Sequence, residues 1–90
     1  MPDAPASPAR RRYRCRDGYL AVDCRTEAQW RGLARAVGRP ELAYPGSWQT
    51  VQRLAPRGAL GRLLESLLRE DDAAGWQRRF QTAGVPTARK

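Results

Sequence analysis

Arg12-Tyr13-Arg14-Cys15-Arg16-Asp17-Gly18-Tyr19-Leu20-Ala21-Val22-Asp23-Cys24 alternates in character on both sides of an Asp-Gly pair. Period two flanking two residues that tolerate φ > 0 predicts a β-hairpin over about residues 12–24 with a type I′ turn at Asp17-Gly18. A two-residue loop there sets Arg16 opposite Tyr19, Cys15 opposite Leu20 and Tyr13 opposite Val22. One face then carries Tyr13, Cys15, Leu20, Val22 and Cys24, and the other carries Arg12, Arg14, Arg16, Tyr19, Ala21 and Asp23. A sheet of this kind buries one side and wets the other, so the Arg ladder belongs to the polar side. Cys15 and Cys24 share a face but lie roughly 13 Å apart along the ribbon at the strand rise. A disulfide needs Cα atoms within about 7 Å, so both cysteines are expected to be small core residues.

Outward from the hairpin the pattern changes period. Residues 1–11 are a Pro/Ala/Arg-rich lead without hydrophobic periodicity and are expected to be disordered, leaving residues 12–88 as a single small domain. Downstream, Thr26 and Gln29 form a T-x-x-Q capping box. Trp30, Leu33, Ala34 and Val37 follow at helical spacing, and Gly38 with Pro40 ends the run. This predicts a helix over 27–37. A short helix is expected over 47–54, after the Tyr44-Pro45-Gly46 turn. Pro56 then serves as the first helical position of a segment over 57–69, with Leu63, Leu64 and Leu67 in its stripe. Gly58 and Gly61 weaken its start, each by up to ~1 kcal/mol against Ala. Asp71 or Asp72 caps a last helix over 72–83, with Trp76 and Phe80 inward and Gly84 at its end. Val85-Pro86 continues as a short extended C-terminal segment. The expected fold is α+β: an antiparallel hairpin packed on three to four helices.

Composition narrows the function classes. Ninety residues with 41% hydrophobic and 29% charged content make one small globular domain. No apolar run approaches the ~18 residues of a membrane span, and the N-terminus has no apolar signal region, so a cytoplasmic protein is expected. The net charge of +8 raises nucleic acid as a partner, but 16 of the 17 basic residues are Arg and most are dispersed. That distribution fits solvated helix faces better than a nucleic-acid site, and only Arg10 to Arg16 is dense. With two Cys and no His, the commonest general base is missing and no zinc site is plausible. No phosphate loop and no nucleophile elbow is present. Asp17 belongs to a turn, and Glu70, Asp71 and Asp72 to a linker and cap. No catalytic residue and no metal ligand is assigned.

The order of signals resembles family III CoA-transferases, the group that includes formyl-CoA transferase, carnitine CoA-transferase and α-methylacyl-CoA racemase. The resemblance is carried by Arg16-Asp17-Gly18-Tyr19-Leu20-Ala21-Val22 and Thr26-Glu27-Ala28-Gln29-Trp30. It continues through Ala36-Val37-Gly38-Arg39-Pro40-Glu41-Leu42-Ala43, Trp48-Gln49-Thr50, Arg53, Gly75-Trp76 and Ala83-Gly84-Val85-Pro86. It implies a small domain that, in full enzymes, interrupts a large Rossmann-like domain within interlocked homodimers. A coenzyme A thioester is the substrate of that family, and its catalytic aspartate belongs to the large domain. No position here matches that aspartate. The stretch ahead of the hairpin, Pro5 to Arg12, lacks the family's flexible glycine loop. In the racemase branch a glutamate near the first helix contributes to the site, and Glu27 aligns with it after a one-residue gap. The racemase histidine has no counterpart.

The implied role is to complete an acyl-CoA cleft or a dimer interface with a large domain, in cis or in trans, without catalysis by the isolated chain. Arg12, Arg14 and Arg16 are the candidate contacts to CoA phosphates or to a partner. The alternative is a basic, Arg-rich nucleic-acid-binding module. Two origins fit the resemblance, an excised piece of a transferase and a short gene product that retains only this module. Met1 ahead of an unpatterned lead favours the second.

Overall fold

A computed structural model describes residues 6–89. Strands Arg10–Cys15 (β1) and Gly18–Asp23 (β2) are followed by helix Glu27–Ala36 (α1) and a 3₁₀ turn at Pro40–Leu42. Helices Ser47–Val51 (α2), Ala59–Leu68 (α3) and Ala73–Thr82 (α4) come next, and Thr87–Arg89 closes the chain as a third strand (β3). The fold is α+β. The sheet is antiparallel with order β1-β2-β3, so β2 is central. The extended C-terminal segment is therefore an edge strand, with Val22 opposite Thr87 and Leu20 opposite Arg89.

The hairpin forms in a different register from the expected one. Cys15 pairs with Gly18, Arg14 with Tyr19 and Tyr13 with Leu20, which makes Arg16-Asp17 the turn. Among the described residues no non-glycine has positive φ, so the turn is not of the primed type, and Gly18 lies within the strand. The cause is tertiary. The Arg16 N–H donates to the Asp71 carbonyl at 2.9 Å, and the Asp17 carboxylate accepts the Ala73 N–H at 2.9 Å. These two bonds hold the turn on the α3–α4 link in a shape the dipeptide preference alone does not favour. Every cross-strand partner moves by two positions. A slip of one would exchange the faces, but a slip of two preserves them. Tyr13, Cys15, Leu20, Val22 and Cys24 are accordingly buried, and both cysteines are free.

The lead expected to be disordered through residue 11 is corrected over its second half; residues 1–5 of it lie outside the described residues. Ser7, Pro8 and Ala9 are buried, and β1 already starts at Arg10. The Tyr13 hydroxyl donates to the Pro8 carbonyl at 2.5 Å, and the Cys24 N–H donates to the Ala9 carbonyl at 2.9 Å. Alternation simply extends upstream through Arg11 to Ala9, and a buried Arg at one step hides it.

The helices cover one face of the sheet, with α3 against β1, α4 against β2 and β3, and α1 against α4. Helix α1 has the expected caps: the Gln29 N–H donates to Thr26 Oγ1 at 3.2 Å, and Gly38 adopts φ +77° beyond its end. The Gln29 side chain reaches one residue further back than a capping box requires, accepting the Arg25 N–H at 2.6 Å. Trp30, Leu33 and Val37 are buried, and the Trp30 indole N–H is satisfied by Ser47 Oγ at 2.9 Å.

Helix α2 ends at Val51, and residues up to Leu54 form a turn. Beyond Val51 the chain closes with shorter-range bonds, from the Arg53 N–H to the Thr50 carbonyl at 3.0 Å and from the Leu54 N–H to the Val51 carbonyl at 3.2 Å, ahead of Pro56, which disfavours helical backbone at Ala55. Nor does Pro56 open α3. Gly58 is the residue before its first turn, and the Pro56 carbonyl instead accepts from Arg11. In α3 the core row is Gly61, Leu64 and Leu68, whereas Leu63 and Leu67, expected in the core, are only half-buried. Helix α4 is capped by the Asp72 carboxylate, which accepts the Gly75 N–H at 2.7 Å. Its Trp76 and Phe80 are buried, with the Trp76 indole N–H on the Leu68 carbonyl at 2.9 Å. Gly84, at φ +80°, turns the chain toward β3.

Candidate functional site

Alternation places Arg10, Arg12 and Arg14 on the exposed face of β1, with Tyr19 and Ala21 beside them on β2 and Ala88 on β3. Their environments differ. Arg10 pairs with Asp23 at 2.9 Å, and Asp23 also takes Arg25 at 2.9 Å. Burial pushes the Asp23 carboxyl up, but the hydrogen bonds from Arg25 and Arg10 outweigh it and hold the group below its ordinary range. The Arg12 guanidinium lies over the Tyr19 ring, 4.6 Å from its centroid. Arg14 stands directly across from Tyr19 in the register and has no carboxylate partner among the described residues. Stacking on a ring restricts Arg12 without consuming its five N–H donors, so the side chain stays available to a ligand.

Arg16, expected in the same ladder, sits in the turn and is separated from the other two by function. It reaches Asp71 at 3.4 Å and Asp72 at 4.0 Å. Asp71 also takes Arg79, which lies over the Trp76 ring at 4.4 Å. The Asp72 N–H donates to the Asp71 carboxylate at 2.7 Å and is the main cause of its lowered pKa, with Arg79 and Arg16 assisting. The acidic link is thus engaged in joining the hairpin turn to α4. Beside it lies a shallow groove of about 450 Å³ floored by Val37, Leu67 and Trp76 and edged by Glu70, Asp71 and Arg79. Two carboxylates on that rim make it a poor receptor for phosphate. Glu27 stands in the first turn of α1 and pairs with Arg31 one turn on at 3.4 Å, so the structure brings it to neither the groove nor the Arg face.

One buried charge lies outside the sequence-based expectations. Arg11 points to the core side of β1, its side chain only 3% exposed. It donates to Glu65 at 2.8 Å, to the Pro56 carbonyl at 3.0 Å and to the Arg12 carbonyl at 3.0 Å, and its guanidinium lies 4.1 Å from the Tyr13 ring centroid. Extending the period-two pattern two residues upstream of Tyr13 would have found it. Among the described residues no group of three or more Cys, Asp or Glu side chains could hold a metal ion, and no helix is long and apolar enough to cross a membrane.

The profile of CoA-transferase family III matches residues 2–89, nearly the whole chain. The chain belongs to CoA-transferase family III. Solved structures share the fold, among them the crystal structure of Rv3272 from M. tuberculosis in its orthorhombic form, with a TM-score of 0.73 and 22% sequence identity. That similarity covers 89% of this chain and 23% of Rv3272. No curated protein matches. This family III chain therefore has the fold of one part of a much longer relative. The third strand, the displaced turn, the buried Arg11 and the Arg12–Tyr19 stack are what sequence reading missed. The first three depend on contacts between segments far apart in the chain, and the stack follows from the shifted register of the hairpin.

Proposed function

We propose that this chain acts as the small domain of a family III CoA-transferase, walling one side of an acyl-CoA cleft and supplying part of an interface to a large domain, in cis or in trans. The carrying observation is the family match over residues 2–89 combined with a length that spans 23% of a fold relative. The carboxylates of the turn and acidic link are consistent with a supporting role, since Asp17, Asp71 and Asp72 all hold backbone N–H groups. In this reading the substrate is a CoA thioester, the catalytic groups come from the large domain, and assembly as a homodimer follows the family's interlocked arrangement. Arg12 and Arg14 are the candidate contacts of the exposed face. Arg16 serves mainly to fix the turn. Glu27 contributes to the site only if the assembly brings it there.

The experiment supplies the large domain of a family III CoA-transferase as a separate polypeptide and follows acyl transfer between CoA and a carboxylic acid. Transfer is expected only when both polypeptides are present, and Glu27→Gln in the mixture reports on the racemase-like position. Transfer by this chain alone, or an unchanged rate on adding it, defeats the proposal. The nucleic-acid alternative has less support. Arg10 and Arg16 are already paired with carboxylates, Arg11 is buried against Glu65, and beyond Arg12 and Arg14 the other Arg residues are dispersed from Arg25 to Arg89.

A further inference from the structure

We propose that the exposed face of the sheet docks an acidic protein surface, with Arg12, Tyr19 and Arg14 as its anchor. This deepens the small-domain reading and rests on it for the identity of the partner, the large domain.

The argument begins with what covers the sheet. The helices pack on one side only, and the other presents Arg10, Arg12, Arg14, Tyr19, Ala21 and Ala88. Among the described residues Asp23 is the sole carboxylate on this face, and it is shared by Arg10 and Arg25. Arg12 and Arg14 therefore supply two positive charges without acidic partners among the described residues, on a strand that fixes their spacing. Tyr and Arg are enriched at the energetic centres of protein interfaces, Tyr for its large rigid surface and Arg for a planar fork of donors that is pre-organised for carboxylates. Tyr19 is 37% exposed and already carries Arg12 on its ring, so part of the ordering entropy is lost before any partner arrives.

Three competing occupants fit less well. A small phosphate ligand such as CoA needs concavity, and the groove beside α4 that offers it has Glu70 and Asp71 on its rim. A single-stranded nucleic acid needs an open aromatic face for its bases, and Arg12 occupies one face of Tyr19. A second copy docking the same patch about a two-fold axis would set Arg12 and Arg14 against their own equivalents. An acidic protein surface meets none of these objections.

The test uses the full chain, uniformly labelled for NMR, titrated in parallel with poly-L-glutamate, coenzyme A and a mixed-sequence single-stranded oligonucleotide. Poly-L-glutamate is expected to shift amides of residues 10–14 and 19–23, and to bind at least tenfold more weakly to R12E/R14E. The control R35E/R69E, with the same net charge, should bind like the parent chain. Tyr19→Ser should weaken binding with the fold intact by circular dichroism. Shifts spread over α1, α3 and α4, or an equal loss in R35E/R69E, would show that only net charge matters and overturn the proposal. Stronger response to the oligonucleotide or to CoA at the same residues would overturn it too. None of these outcomes bears on acyl transfer in the two-polypeptide mixture, which tests the small-domain reading separately.

Discussion

Arg11 and Glu65 meet at 2.8 Å with unequal burial: the guanidinium is 3% exposed and the carboxylate 26%. This inequality decides what each loss does. Removing Glu65 strands a cation that water cannot reach, with two carbonyls left as acceptors. Removing Arg11 leaves a carboxylate that water can reach, with Arg57 still 3.7 Å away, and takes the donor from the Pro56 and Arg12 carbonyls. Glu65→Ala is expected to cost about 3 kcal/mol, as for a buried pair broken from one side. Arg11→Met should cost about 2 kcal/mol, mainly from the two carbonyls that lose their donor. Urea unfolding of both variants gives the order, and a reversed order would show that the guanidinium hydrates after all.

The same pair sets an acid limb. The Arg11 hydrogen bond is the main cause holding Glu65 below its ordinary value of 4.5, opposed by burial and helped by the charges of Arg11, Arg57 and Arg69. A carboxyl lowered in the folded state stabilises fully above its unfolded pKa, and that contribution is lost as pH falls through the folded value. Asp23 and Asp71, also lowered from 3.8, act in the same sense further down. The thermal midpoint should therefore be insensitive to Glu65 above about pH 5, given an unfolded Glu pKa of about 4.3, and fall below it. In Glu65→Gln the fall should begin at lower pH. Parallel curves for the two proteins would remove this assignment.

Cys15 and Cys24 should behave as inert core groups. Burial is the main cause pushing their thiols up, to about 11 and about 12, with nearby carboxylates adding to it. Iodoacetamide at pH 8 should leave the folded chain unlabelled over hours and modify both thiols in urea. The linkage has the opposite sign to that of Glu65: the thiols favour the folded state below their ordinary 9.0, and the gain is lost as pH rises beyond it. Rapid labelling of either thiol in the native chain would contradict the packing described.

Gly61→Ala tests sterics against propensity. Ala favours a helix interior by about 1 kcal/mol over Gly, so an isolated helix would gain. Here a methyl at position 61 would land on the Pro56 carbonyl oxygen, the same oxygen that accepts from Arg11. The variant is expected to lose about 2 kcal/mol or more, as overpacked sites do. Gly32, whose methyl would meet the Ala83 carbonyl, should respond likewise. A stabilised Gly61→Ala would mean that the residue 52–58 loop does not press on α3.

What the sequence disclosed follows the range of the interactions involved. Thr26, Gly38 and Gly84 act within a few residues of themselves, and each was readable as a cap or stop. The buried side of the hairpin was readable because it depends on parity alone. The turn position was not, since Asp71 and Ala73 reset it from more than fifty residues away. Leu63 and Leu67 illustrate a limit of periodicity: a broad apolar stripe names the helix but not which row meets the sheet, and Gly61 chose the row here by admitting Pro56. For the candidate site, the Arg side of β1 was visible in the pattern. The separate fates of Arg11 and Arg16 depended on Glu65 and Asp71, which no local rule connects to them, and that of Arg12 on the register that sets Tyr19 diagonally across from it.

The flanking of β2 by β1 and β3 has a topological consequence. Those outer strands run the same way, two strand widths or about 10 Å apart, so the backbone enters the sheet at one end and leaves it heading toward the other. Tension on the two ends of this sheet would therefore load both ladders along the strands, shearing many bonds at once instead of peeling them apart one by one.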